Sequence, residues 1–197
     1  MSLPAALPGR RERQVDSTRA RLFEAAIAEF RRVGFARANV ARIAREAGVS
    51  RPSFYFHFPT KEHVLLELQL LEERALVARL ERARSLREAL HELAEGVIEL
   101  EARLGDSDLF RGMFSIYLRR PAGLPIDEQP FPTVAALARH FAEAAARGEL
   151  RAGLEPVAAT RVCLTSVFGL LIGLPSEPAQ RRAEFDLLFS LYLEGNE

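Results

Sequence analysis

Residues 40–61, VARIAREAGVSRPSFYFHFPTK, hold the reading on which the fold turns. Val40, Ile43, Ala44 and Ala47 recur at the spacing that gives one side of a helix an apolar face. Gly48 follows where a helix ends in a left-handed residue, a conformation glycine adopts without steric penalty. Val49 is then placed to drop into a core, and Ser50 to accept a backbone N–H at the start of a second helix. Pro52 falls in that helix's first turn, where its missing N–H costs nothing. The spacing turns Phe54 and Phe58 inward and leaves Arg51, Ser53, Tyr55 and His57 to face outward or sideways. A helix, a glycine turn and a second helix with a polar, basic outer face make a helix-turn-helix unit. Such a unit sets its recognition helix in the major groove of duplex DNA.

Upstream, Leu22, Phe23, Ala26, Ile27, Phe30 and Val33 form the buried stripe of a helix expected over 17–33. Gly34 closes it and Phe35 folds back on its end. The N–H groups at its start offer a phosphate site near Thr18 and Arg19. With these features in place, the stretch Thr18 to Leu65 resembles the N-terminal DNA-binding domain of the tetracycline-repressor (TetR/AcrR) family. The matching features are the Phe-containing first helix with its Gly34-Phe35 end, Ile43-Ala44, Ala47-Gly48-Val49-Ser50, Phe54-Tyr55-Phe56-His57-Phe58 and Thr60-Lys61-Glu62. Many fixed spacings over some 45 residues make this a specific signal. Asn39 stands where the family more often carries a threonine, and it can still cap the helix that follows.

The resemblance implies phosphate contacts at Tyr55, His57 and Lys61, with Asn39 and Ser50 beside them at helix starts. Arg51 is the candidate base reader, since a guanidinium pairs with guanine O6 and N7 in a bidentate fork. Ser53 can bond a base edge or a phosphate. Phe54, Phe56 and Phe58 are read as packing, because a duplex offers no unstacked base.

The charges divide the chain. Residues 1–58 carry eleven arginines against five acids, and because the whole chain balances at 27 and 27, residues 59–197 are acidic by the same margin. A basic head attracts phosphate, and an acidic body avoids it. With 48% hydrophobic and 27% charged residues, the composition is that of a globular protein of one medium domain or a small domain plus a larger one. The single cysteine, Cys163, excludes an internal disulfide and lies in an apolar run as a small core residue. Residues 1–15, with Pro4, Pro8 and Gly9, hold no signal-peptide run. They read as a flexible basic arm whose Arg10, Arg11 and Arg13 either reach DNA or have no role. The longest uncharged stretch, Val162 to Ser176, is too short to span a bilayer. A cytoplasmic protein without a membrane partner is expected.

The class is all-α, with about nine helices: an arm over 1–15, a helix-turn-helix domain over 16–60, and a sensing and dimerisation domain over 61–197. In that body, Thr60 is expected to cap a long helix linking head and body. Ser85 and Glu88 suit a capping box. Leu109, Phe110, Met113, Phe114 and Tyr117 suit a helix starting at Asp106 or Ser107, before a proline-rich loop over 120–132. Phe110, Met113, Phe114, Tyr117, Leu137, His140, Phe141, Cys163 and Phe168 offer apolar and aromatic surface with a few polar handles for a small apolar effector. The last two helices are apolar on two faces each, and Val162, Phe168, Leu171, Phe185, Leu188 and Tyr192 are the expected dimer contacts. In the resembled family these helices form a four-helix bundle across a two-fold axis. The implied function is a homodimeric regulator, most often a repressor, on a palindromic double-stranded DNA operator. An alternative body would bind a protein partner instead of a small molecule. An all-α enzyme is disfavoured: His57, His63, His91 and His140 lack metal spacing, no glycine-rich phosphate loop is present, and no catalytic residue or cofactor is expected.

Overall fold

The computed structural model describes residues 10–104, 109–110, 112–113, 132–173 and 177–193, with the side chains of 10–14 left aside. Among these, eight helices carry the chain and no strand is present: α1 Arg10–Val33, α2 Val40–Glu46, α3 Arg51–His57, α4 Lys61–Leu80, α5 Leu86–Leu104, α6 Pro132–Ala146, α7 Pro156–Gly173 and α8 Pro178–Ser190. Two compact units result, Met1–Glu67 with Asp106–Arg119, and Leu68–Gly105 with Arg120–Glu197. The boundary therefore falls inside α4, seven residues beyond the expected break at 60. Val64 and Leu65, at the start of α4, are fully buried, which accounts for the shift.

In the first unit, Leu22, Ala26, Phe30, Ile43, Ala44, Phe54 and Phe58 form the core. The turn between α2 and α3 is as the residues require. Gly48 takes φ +69°; its N–H donates to the Arg45 carbonyl at 3.0 Å and that of Val49 to the Ala44 carbonyl at 2.9 Å. This pair of bonds closes a helix around a left-handed residue, so a side chain at Gly48 would be strained whatever the space around it. Asn39 Oδ1 accepts from the Ala41 N–H at 2.8 Å, and Ser50 Oγ from the Ser53 N–H at 3.3 Å. Both expected caps are in place.

Two expectations about α1 are corrected. Helix begins at Arg10, so residues 10–15 are helical backbone and no arm runs to 15. The run RRERQV holds neither proline nor glycine to stop the helix before Ser17. Thr18 and its neighbours then lie inside the helix, their N–H groups already paired, and the phosphate site placed there is lost. The expected helix from Asp106 is seen only at 109–110 and 112–113, where Leu109, Phe110 and Met113 are buried. A Cβ on Gly112 would stand 3.4 Å from Leu65, so this segment packs closely on the first unit's core. Phe114, Tyr117 and the proline-rich loop lie outside the described residues.

In the second unit, Leu80, Leu86, Leu90, Leu93, Val97, Leu137, Phe141, Cys163, Val167, Phe185 and Phe189 make the core. Ser85 Oγ accepts from the Glu88 N–H at 3.2 Å while the Glu88 carboxylate accepts from the Arg84 N–H at 2.8 Å, starting α5. Glu155 starts α7: its two carboxylate oxygens accept from the N–H groups of Val157 and Ala158 at 2.9 and 2.7 Å. Those bonds hold its carboxyl below the usual range. Arg181 on α8 is fully buried, donating to the Leu170 carbonyl at 2.7 Å and to Glu184 at 3.2 Å, with Glu101 of α5 at 3.8 Å. A buried guanidinium held this way joins three helices in one arrangement.

The helix holding the uncharged stretch starts earlier than that stretch, at Pro156, and its 18 residues are long and apolar enough by length and composition to cross a membrane. The core helix of a folded domain passes the same test, and Cys163, Leu164, Val167 and Leu171 of α7 are buried within the chain.

Candidate nucleic-acid interface

Helix α3 is seven residues long, and its orientation is set by Phe54 within it and by Phe58, the capping residue just beyond its end. Phe54 and Phe58, four apart, are both fully buried, with ring centroids 5.8 Å apart. At 3.6 residues per turn, this fixes where every other side chain of α3 stands. Arg51 and Tyr55 share one flank, Ser53 and His57 the other, and Pro52 and Phe56 the middle of the outer face. The four polar residues singled out in the sequence are thus brought together on one short helix.

On the first flank, an Arg51 Nη lies 3.5 Å from the Tyr55 hydroxyl, and the guanidinium carbon is 5.7 Å from the ring centroid. Both residues are exposed. Tyr55 also meets the buried Phe54 edge to face at 5.4 Å, which anchors the phenol that in turn steadies Arg51. An exposed guanidinium held at the side of such a helix has the donors to pair with a base edge or a phosphate.

On the second flank, the first helix reaches across. Arg19 donates to the His57 carbonyl, pairs with Glu67 of α4, and lays its guanidinium 4.3 Å from the Phe58 ring centroid. One residue so ties α1, α3 and α4 together. His57 is half-buried, and burial, followed by the nearby Arg19 charge, lowers its pKa from 6.5. At neutral pH it is an uncharged imidazole that can donate one N–H.

Lys61 differs most from its expected role. Its ammonium donates to the carbonyls of Phe35, Ala36 and Ala38 at 3.0, 3.2 and 3.1 Å, and Nζ lies 5.1 Å from the Phe35 ring centroid. An ammonium has three donors, and here all three close the turn after α1. A phosphate would have to compete for them. Thr18 is half-buried and accepts a long bond from Arg21 at 3.5 Å, while Asn39 and Ser50 are exposed caps.

Phe56 is a further correction. It is 77% exposed, and among the described residues its aromatic neighbour is the His57 ring at 5.2 Å. The signal was in the sequence: two residues from each inward phenylalanine, a helical side chain must point away from the core. For Arg19 no local signal existed, since its partners lie 38 and 48 residues away.

The other expected sites are divided between the two units. Phe110 and Met113 are buried in the first; Leu137, His140, Phe141 and Cys163 are buried in the second, with Phe168 half-buried there. Burial pushes the Cys163 thiol up to about 12, leaving it protonated. Tyr192 meets Phe141 edge to face at 5.4 Å. Of the expected dimer contacts, Leu171, Phe185 and Tyr192 are core within the single chain, so they cannot supply an outer surface. From α7 onward, the exposed large apolar residues among those described are Val157 and Val162, each at 57%, Leu187 at 69% and Leu191 at 52%. Helical phase explains the exchange: each of these helices has two apolar faces, and the bulkier aromatic one of α8 turned inward.

Comparison with known proteins agrees with this geometry. The model for bacterial regulatory proteins of the tetR family matches residues 22–68, which span α1 to the first part of α4. The regulator EthR of Mycolicibacterium smegmatis is 59% identical over 34 residues, 17% of this chain and 16% of that protein. Matches to two further curated regulators cover 26% and 33% of their lengths, so the strongest likeness is confined to a part of each protein. UidR of Escherichia coli is 23% identical over 87% of this chain and 89% of its own. Among solved structures, SmeT, the repressor of the Stenotrophomonas maltophilia multidrug efflux pump SmeDEF, is 25% identical over 91% of this chain and 94% of its own, with a TM-score of 0.64. SmeT has also been solved as a complex with triclosan. Residues 22–68 thus match the tetR family of bacterial regulatory proteins, and the helical order of the chain is similar to that of SmeT over nearly its whole length.

Proposed function

We propose that the chain is a homodimeric transcriptional repressor that grips a palindromic operator through α3 and lets go when a small apolar effector enters its second unit. The outer face of α3 carries this reading: an exposed Arg51 braced by Tyr55, with Ser53 and His57 opposite, on a helix locked by two buried phenylalanines. Arg51 reads a base, Tyr55 and Ser53 meet phosphate or base edges, and His57 offers an N–H to phosphate. Asn39 and Ser50 stand at helix starts that face the same phosphates. The likeness to the repressor SmeT over 94% of its solved chain supports the regulatory role. Such a protein acts in the cytoplasm.

The dimer is supported by exposed small and apolar residues, Val162 and Gly169 on α7 and Ala183, Leu187 and Leu191 at four-residue spacing along α8 and its end. Small and apolar residues on two helices are what a bundle across a two-fold axis needs. The effector is supported by two buried acceptors of the second unit without a hydrogen-bond partner, His140 Nδ1 and Gln69 Oε1. His140 Nε2 donates to the Leu80 carbonyl at 2.8 Å, which fixes Nδ1 as acceptor. An apolar molecule bearing a hydroxyl suits either one, and triclosan bound to SmeT gives a compound to try first.

The test is selection of duplexes from a random pool, followed by titration at several salt concentrations. Wild type is expected to bind one palindrome, with affinity falling steeply as salt rises. Arg51→Ala is expected to lose about 1–3 kcal/mol and to relax preference at one position per half-site. Failure of the wild type to bind any duplex at low salt sinks the proposal.

A further inference from the structure

The middle of the α3 outer face is held by a phenyl ring. Phe54 and Phe58 point into the core, and Phe56, two residues from each, stands about half a turn from both. Among the described residues it is the most exposed of the large apolar side chains, at 77%, and its backbone belongs to a helix fixed at both ends. The Ser50 cap holds one end and the Phe58 N–H bond to the Phe54 carbonyl, at 2.8 Å, the other. A ring this exposed gains nothing for the fold, since burying a phenylalanine is worth about 1.5–3 kcal/mol that this one forgoes. Its flanks are polar: Arg51 and Tyr55 on one side, Ser53 and His57 on the other. An apolar spot centred between hydrogen-bonding flanks fits a surface that is itself mostly polar with one apolar knob.

We propose that Phe56 reads the 5-methyl group of a thymine in the major groove, making it a specificity-determining residue beside Arg51. The proposal rests on the reading of α3 as the recognition helix. Of the four bases only thymine presents a methyl group in that groove, and apolar side chains including phenylalanine select it by contact. The surrounding charge suits the same partner, because eleven arginines against five acids in residues 1–58 draw the helix to phosphate. A second protein as occupant would meet that basic surface at a cost.

The probe is the duplex selected by the wild-type protein, remade with thymine replaced by deoxyuridine one position at a time. This removes only the methyl. Wild type is expected to lose about fourfold in affinity per half-site at one symmetric pair of positions, and Phe56→Ala to bind the thymine and deoxyuridine duplexes equally. Phe56→Leu is expected to keep part of the discrimination. Melting temperatures of both variants should match wild type, since the ring touches no core residue. Equal binding of all deoxyuridine duplexes by the wild type overturns the proposal while leaving α3 as the recognition helix. So does discrimination that survives in Phe56→Ala, or a Phe56→Ala variant that changes oligomeric state and not base preference. Absence of duplex binding by the wild type removes the broader reading as well, and is seen before any substitution is made.

Discussion

Arginine is used in opposite ways by the two units. In the second unit several arginines are neutralised: Arg79 pairs with Glu92 and Glu99 at 2.8 and 2.7 Å, Arg103 with Glu72 at 2.7 Å, Arg182 with Glu95 at 2.6 Å, and Arg181 is buried among Glu101, Glu184 and a carbonyl. In the first unit Arg32 and Arg42 share the buried Glu29 and Arg19 is tied inward, but Arg51 leans only on an uncharged phenol. The difference separates two uses of one side chain. Paired with carboxylate it joins helices; left at the side of a short helix it remains available to an anion from outside.

Breaking the joining role should have the largest effect. Arg181→Ala takes the guanidinium from the Glu101 and Glu184 carboxylates and leaves a cavity, and is expected to cost about 3–5 kcal/mol in denaturant unfolding of the second unit. Arg181→Met, which keeps the volume, should recover much of that loss. A cost below about 1 kcal/mol for the alanine variant would place Arg181 with ordinary surface pairs and remove the contrast.

The next effect sharpens the contrast inside the first unit, where Arg51 and Lys61 stand on neighbouring helices. Lys61→Met removes three bonds from a charged donor to the turn at 35–38. It is expected to lower the stability of the head by about 2 kcal/mol. The salt dependence of duplex binding should stay unchanged. A salt slope shallower by about one, with stability intact, would restore Lys61 as a phosphate contact. Arg51→Ala should do the reverse, sparing stability and weakening binding. An exposed pair in the body gives the lower reference: Arg103→Ala should cost at most about 1 kcal/mol and leave duplex binding untouched.

These contrasts also show what a sequence can carry. The turn at Gly48, the caps at Asn39 and Ser50, and the inward Phe54 and Phe58 were legible because each depends on neighbours within five residues. The roles of Lys61 and Arg19 were not, because carbonyls 23 to 38 residues away decide them and only the folded chain brings these near. For α7 and α8 the two-faced apolar pattern was plain, but a pattern with two faces does not say which one the chain keeps for itself. Packing chose Leu171, Phe185 and Tyr192 for the core and left Val162, Leu187 and Leu191 outside. Phe56 was the opposite case, deducible from helical phase yet masked by the habit of placing aromatic residues inside.

The smallest effect tests the second flank of α3. Burial and Arg19 lower the pKa of His57 below 6.5, so the unfolded chain takes up its proton at a higher pH than the folded one. In that window the unfolded state holds more protons and stability rises with pH. The contribution is therefore complete above 6.5 and is lost as pH falls through the window below it. Glu95 and Glu155 also have lowered values, but from 4.5, so they act in more acid solution. The melting temperature of the head should decline as pH drops below 6.5, and His57→Gln should flatten that decline. Duplex affinity should move the other way, rising as His57 gains a charge, if its ring meets phosphate. Affinity with the same pH dependence in wild type and His57→Gln would leave His57 a brace for the turn and hand phosphate contact on that flank to Ser53 alone.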